Sequence, residues 1–284
     1  MERERWWRLY TLARELSRGI HRGIQFRVAD IVGVFLWAVI HDRPVSWACR
    51  RENWPTDGPF RWLPSQSNMS RRLRTRPVID LLQAMEQALG TPQSEWLKTI
   101  DAKPLPVGAS SKDGEARWGR AHRGRVSMNG YKLFTIWGDG PLPIAWYVGG
   151  MNEAETKVAE RLTPALQGAG YLLGDVRYDS NQLFDAAGER GHQLVAQRAH
   201  PHADLGHRRH SSFRLRSIEL LQGKFGKALY RMRNDIERKY AWLTSFGGGL
   251  SPLPSWVRSL HRVRQWVQAK LLINAVRMLA LAYA

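Results

Sequence analysis

The chain has 284 residues, enough to bury one large core and a smaller second one. Its 43 Lys plus Arg against 25 Asp plus Glu leave a net charge of +18, which points to a polyanionic partner. Nucleic acid is favoured over an anionic membrane because Arg far outnumbers Lys, and the guanidinium fork suits phosphate and guanine. The single cysteine, Cys49, excludes an intramolecular disulfide framework and a Cys-based zinc knuckle, and fits a reducing compartment.

The first 25 residues are studded with Arg and Glu and show no secretory pattern. Residues 1 to 92 are Trp- and Arg-rich and predict a helical region. Ala29 to Ile40 has helical apolar spacing; the apolar run from Val28 is broken by Asp30 and is too short to span a membrane. A loop rich in Trp, Pro and Gly covers Trp54 to Pro64. Ser65 or Ser67 then caps a short helix presenting Arg71, Arg72 and Arg74, and Pro77 to Leu89 forms a further helix stopped by Gly90 and Pro92. Two helices and a turn, the second helix basic, resemble a helix-turn-helix reader of the major groove; the competing reading is a solvated basic helix.

From about Leu97 the pattern becomes strands alternating with helices. A first strand covers Leu97 to Val107. Tyr131 to Trp137 and Ile144 to Val148 flank Gly138-Asp139-Gly140-Pro141 and predict an antiparallel hairpin. Glu153 to Ala169 is helical. Tyr171 to Gly174 is a buried strand delivering Asp175, Ser180 caps a helix from Asn181 to about Glu189, and His192 to Gln197 is another strand. A long helical stretch covers Ser217 to about Leu243, with a break near Gly223 to Gly226. After Gly247-Gly248-Gly249 comes a final helix from about Ser255; its Leu271 to Ala284 end follows Lys270, contains Arg277 and reads as amphipathic or buried, so a soluble protein is expected.

That order of elements is an α/β, RNase H-like arrangement, a mixed sheet flanked by helices, preceded by an N-terminal helical DNA-binding region. The expected boundaries are 1–92 for the helix-turn-helix-like region and 93–284 for the catalytic domain with its C-terminal helix. Such a core needs acids from three separate elements to hold two divalent cations. Asp101, Asp175 and Glu237 stand in those places; Asp179 is the rival to Asp175, though positioned with Ser180 to start a helix, and Asp113 is a weaker rival to Asp101. The His-rich segment His200 to His210 invites zinc. Arg208 and Arg209 between His207 and His210 disfavour a cation, however, and a basic phosphate-binding loop fits better.

The chain resembles the DDE transposases of bacterial insertion sequences, in the branch with a Tyr-x2-Arg-x3-Glu-x6-Lys motif. Tyr230, Arg233 and Glu237 carry the motif and share one face of a helix turning ~100° per residue. Gly174-Asp175 with Tyr178-Asp179, Ile100-Asp101 and Gly130-Tyr131-Lys132-Leu133 match further family segments. Thr244 stands where the family has Lys, removing a phosphate-binding point charge but no metal ligand. The resemblance implies cleavage at transposon ends and strand transfer into target DNA, with Mg²⁺ (Mn²⁺ as substitute) held by Asp101, Asp175 and Glu237. It also implies DNA contact by Tyr230, Arg233 and Lys132, alongside the basic residues Arg71, Arg72, Arg74, Arg208 and Arg209. Terminal inverted repeats and target DNA are the implied partners, with a homodimer in the synaptic complex and a location on bacterial chromosomal or plasmid DNA. A transposase-derived repressor and a structure-selective nuclease of the same fold are the alternatives.

Overall fold

A computed structural model describes residues 1–18, 25–90, 96–108, 110–121, 126–205, 209–245, 249–250 and 253–282. The chain forms two compact units, Met1–Gly90 together with Trp242–Ala284, and Thr91–Ala241. The division differs from the expected boundary at the C-terminal end. The final helix, Leu260–Ala282, belongs to the same unit as the N-terminal helices.

The first unit is helical: α1 Glu2–Leu16, α2 Val28–Ile40, α3 Val45–Ala48, α4 Gln66–Arg72, α5 Arg76–Leu89 and the C-terminal helix. Helix α2 is apolar on every side and is correspondingly buried along nearly its whole length. Gly33 lets α1 approach closely, since a Cβ there would lie 2.6 Å from the Tyr10 ring. The Trp6 indole donates to the Gly33 carbonyl at 2.8 Å. Trp6, Tyr10, Trp37, Trp54 and Phe60 form one aromatic cluster, with Trp37 and Trp54 stacked at 4.7 Å. This packing holds the Trp- and Pro-rich loop in place without regular structure. The C-terminal helix sinks Lys270 completely into the unit, where its ammonium donates to the Val39 carbonyl and pairs with Asp42. No helix among the described residues is long and apolar enough to cross a membrane.

The second unit is a six-stranded mixed sheet flanked by helices. Its elements are β1 Leu97–Pro106, β2 Arg117–Ala121, β3 Val126–Trp137, β4 Ala145–Gly150, α6 Glu155–Leu162, β5 Gly170–Leu173, α7 Asn181–Gly188, β6 His192–Val195, α8 Ser212–Gln222 and α9 Lys224–Arg231; the start of α10, Asp235–Thr244, completes it. Strand β3 pairs antiparallel with β1 on one edge and with β4 on the other, while β5 runs parallel to both β1 and β6. The path β4–β3–β1–β5–β6 therefore has β1 at its centre; β2 extends the β3 ladder beyond β4. Alternation along the strands sends Leu172 and Leu194 to one face, against α6 and α7, and Leu173 and Val195 to the other, against α8 and α9. Gly130, at φ 153°, brings β3 against β1 where a Cβ would meet the Leu105 carbonyl at 2.4 Å.

Several elements depart from expectation. Helix α6 stops at Leu162 and tightens into a 3-10 turn, because Pro164 cannot continue the helical hydrogen bonding. The long stretch to Leu243 is three helices, interrupted at Gly223 and again by the 3-10 segment Met232–Asn234. The final helix begins at Leu260, five residues later than expected. Strand β2 was not foreseen.

Candidate active site

Asp101 lies in the middle of β1, directly opposite Thr135 of β3. Its neighbours Ile100 and Phe134 are in the core. Burial pushes the Asp101 carboxyl up to about 6, and the negative charges of Asp175 and Glu155 push the same way; Arg233 opposes them. Asp175 follows β5, which is parallel to β1, so both acids issue from adjacent central strands. The Asp175 carboxylate caps the 3-10 turn Val176–Tyr178 by accepting from the Arg177 amide at 2.8 Å. Burial also raises Asp175, with Glu155 adding to the rise while Arg177 and Arg233 counter it.

The rivals have other partners. Asp179, expected at a helix start, instead accepts from Arg214 through both carboxylate oxygens, at 2.6 and 2.9 Å, and from the Ala199 amide at 2.9 Å. Burial would raise it, but those hydrogen bonds hold it below the usual carboxylate range. Ser180 does stand at the N-cap of α7, yet its side chain makes no capping bond. Asp113 accepts from the Tyr131 hydroxyl at 2.8 Å and from the Glu115 amide in its turn.

Helix α10 docks on the sheet through Tyr240, whose buried hydroxyl donates to the Asp101 carbonyl at 3.0 Å and accepts from Thr135 at 2.7 Å. Arg233, seven residues earlier, turns its charge toward both acids. Its guanidinium lies 5.9 Å from the Tyr230 ring centre, and its Nε is buried without a hydrogen-bond partner. Nearby Asp235 pairs instead with Arg238, at 3.1 Å. Glu237 sits between Arg233 and Tyr240 at helical spacing of four and three residues, so it shares their face, but its side chain is exposed. Among the described residues no three His, Cys, Asp or Glu side chains converge into a cation site. The structure thus brings Asp101 and Asp175 to adjacent strands and leaves Glu237 exposed on α10.

Glu155 is the residue that sequence reasoning missed. It is buried at the first position of α6 and accepts from Lys132 at 3.1 Å and from Arg177 at 2.7 Å. Lys132, expected to touch DNA, has its ammonium almost fully buried against Glu155. Of the three arginines expected on the basic helix, Arg71 and Arg74 are exposed, whereas Arg72 is half-buried and donates to the Phe26 carbonyl at 3.4 Å. Ser65, not Ser67, caps α4 by accepting from the Asn68 amide. Arg209 is exposed; Arg208 and His207 lie outside the described residues. Thr244 is exposed at the end of α10.

The acid pair suits a hard divalent cation. Two carboxylates are held on adjacent strands by the fold, both shifted toward protonation by burial and by the negative charge of Glu155, which a cation would relieve.

The profile of the family described as "Transposase DDE domain" matches residues 92–273. The chain belongs to this family. DDE transposases generally use divalent metal ions, in keeping with the acid pair. No curated protein matches the sequence. Among solved structures, the cryo-EM structure of a piggyBac transposase synaptic complex with hairpin DNA is similar at a TM-score of 0.34 and 15% identity, covering 69% of this chain and 48% of that one. This chain thus spans about half the length of that one.

Proposed function

We propose that this DDE transposase cuts DNA at transposon ends and transfers the resulting 3′-hydroxyl ends into target DNA. The observation that carries the reading is the convergence of Asp101 and Asp175 from adjacent parallel strands. The sheet supports an RNase H-like assignment: three antiparallel strands, a central first strand, then two parallel strands with helices on both faces. On this reading Asp101 and Asp175 are metal ligands, and Glu237 joins them by a side-chain rotation on the face it shares with Arg233. Two Mg²⁺ ions, or Mn²⁺ in their place, supply activation of the attacking oxygen and stabilisation of the leaving one. Arg233, with its unpartnered buried Nε, holds a phosphate oxygen of the scissile strand, and Tyr230 supports its guanidinium. Tyr240 fixes the Asp101 backbone from below. The helical unit binds DNA through Arg71 and Arg74, with Arg209 adding a contact from the sheet unit, and two chains bring two ends together.

The exposed Glu237 and the neutral Thr244 favour a second reading, a DNA-binding relic that no longer cuts. A cleavage and strand-transfer assay decides between them, using the inverted repeats that flank the gene as substrate. The expected result is Mg²⁺-dependent nicking and joining, reduced on the order of a thousandfold or more by Asp175→Ala, with end binding retained. Binding without nicking in any divalent metal supports the relic, and nicking without joining supports a nuclease.

A further inference from the structure

We infer that Glu155 is a positioning residue that sets the Asp175 carboxylate for metal binding, an inference that rests on the metal-site reading above. Three contacts form a continuous path. Lys132 of β3 and Arg177 of the turn after β5 both donate to the same oxygen of Glu155, at 3.1 and 2.7 Å. The amide of that same Arg177 donates to Asp175 at 2.8 Å. Glu155 therefore ties the turn that orients Asp175 to both β3 and α6, and among the described residues it is the Arg177 side chain's ion-pair partner.

A purely stabilising role does not account for a carboxylate here. An apolar cluster of similar volume would serve folding as well as or better than a buried charged one. The Glu155 oxygen is already engaged by Lys132 and Arg177, so Glu155 orients the site without being a ligand.

The test uses the full chain, Mn²⁺ as the probe read by electron paramagnetic resonance, and amide hydrogen exchange at Arg177. Glu155→Gln keeps the shape and removes the charge, but it leaves Lys132 buried without a counter-charge and lowers the melting temperature. Glu155→Gln combined with Lys132→Met removes both partners and restores most of that loss. The double variant is expected to bind Mn²⁺ about tenfold more weakly than the parent, as for loss of a residue supporting a metal ligand. Its Arg177 amide is expected to exchange about tenfold faster. A folded double variant with parental Mn²⁺ affinity and parental exchange overturns the inference. Asp175→Asn serves as the control for the metal site itself. If it leaves Mn²⁺ binding unchanged, the metal-site reading fails, while the exchange rate still reports whether Glu155 holds the turn.

Discussion

Each unit of this chain buries charge, and it does so in opposite ways. In the helical unit Lys270 is fully enclosed, yet it meets a carbonyl and the carboxylate of Asp42. Burial pushes its pKa down and Asp42 pulls it back. In the sheet unit Asp101 is buried beside the like charges of Asp175 and Glu155, with Arg233, Lys103 and Arg177 opposing them at longer range and no direct ion pair among the described residues. The sheet unit also contains a satisfied pair, Asp179 with Arg214, only four residues from Asp175. Paired burial is a structural device; burial of like charges costs stability and survives where a site needs it.

The comparison can be broken at its strongest pair first. Asp179→Asn removes one charge from a buried bidentate contact and leaves Arg214 uncompensated, which should cost about 3 kcal/mol in chemical denaturation. Because the folded Asp179 lies below its unfolded value, its contribution is present above the unfolded value and lost as pH falls through the folded one. An unchanged denaturation midpoint at neutral pH would remove the pair from the structural side of the comparison.

Asp42→Asn tests the helical unit. Asn tolerates the positive φ of 49° at this position, so the change isolates the charge. Asp42 is partly exposed, which discounts the loss to about 2 kcal/mol. Lys270→Met should be nearly neutral, since it removes the enclosed charge and leaves only a solvated carboxylate; a larger loss than for Asp42→Asn would contradict the asymmetry.

One effect has the opposite sign. Asp101→Asn should stabilise the fold by about 1 kcal/mol at pH 7 while abolishing cleavage, measured by thermal melts beside the nicking assay. The folded Asp101 holds its proton more tightly than the unfolded chain does. Its favourable contribution is therefore complete below the unfolded value, is lost as pH rises through about 6, and stays lost above it. Asp101→Asn should flatten that part of the stability profile between pH 4 and 6.

The sequence shows most clearly what local patterning controls. The apolar run of α2, the hairpin around Asp139 and the strand before Asp175 are written in the spacing of neighbouring residues. Strand β2 escaped because Arg117 to Ala121 alternates no apolar face; its order comes from pairing with β3. The C-terminal helix looks like a continuation of the catalytic domain in sequence, and only long-range packing assigns it to the helical unit. The site divides the same way. Asp101 and Asp175 are legible from their positions at strands, and Asp179 is separated from Asp175 only by the long-range contact with Arg214. Glu155 looks like an ordinary acid in the first turn of a helix, favourable to the helix dipole, until its burial between Lys132 and Arg177 is known. Glu237 is placed by the motif on the face it shares with Arg233 and Tyr240, where its side chain is exposed.

The most direct measurement replaces Mg²⁺ with Fe²⁺ in the presence of ascorbate and peroxide, and maps backbone cleavage by the radicals released at the bound ion. The account predicts cuts beside Asp101, Asp175 and Glu237, all lost in Asp175→Ala. Cuts beside Asp101 and Asp175 with none near Glu237 would contradict the triad, and the absence of cuts at any of the three would contradict the metal site.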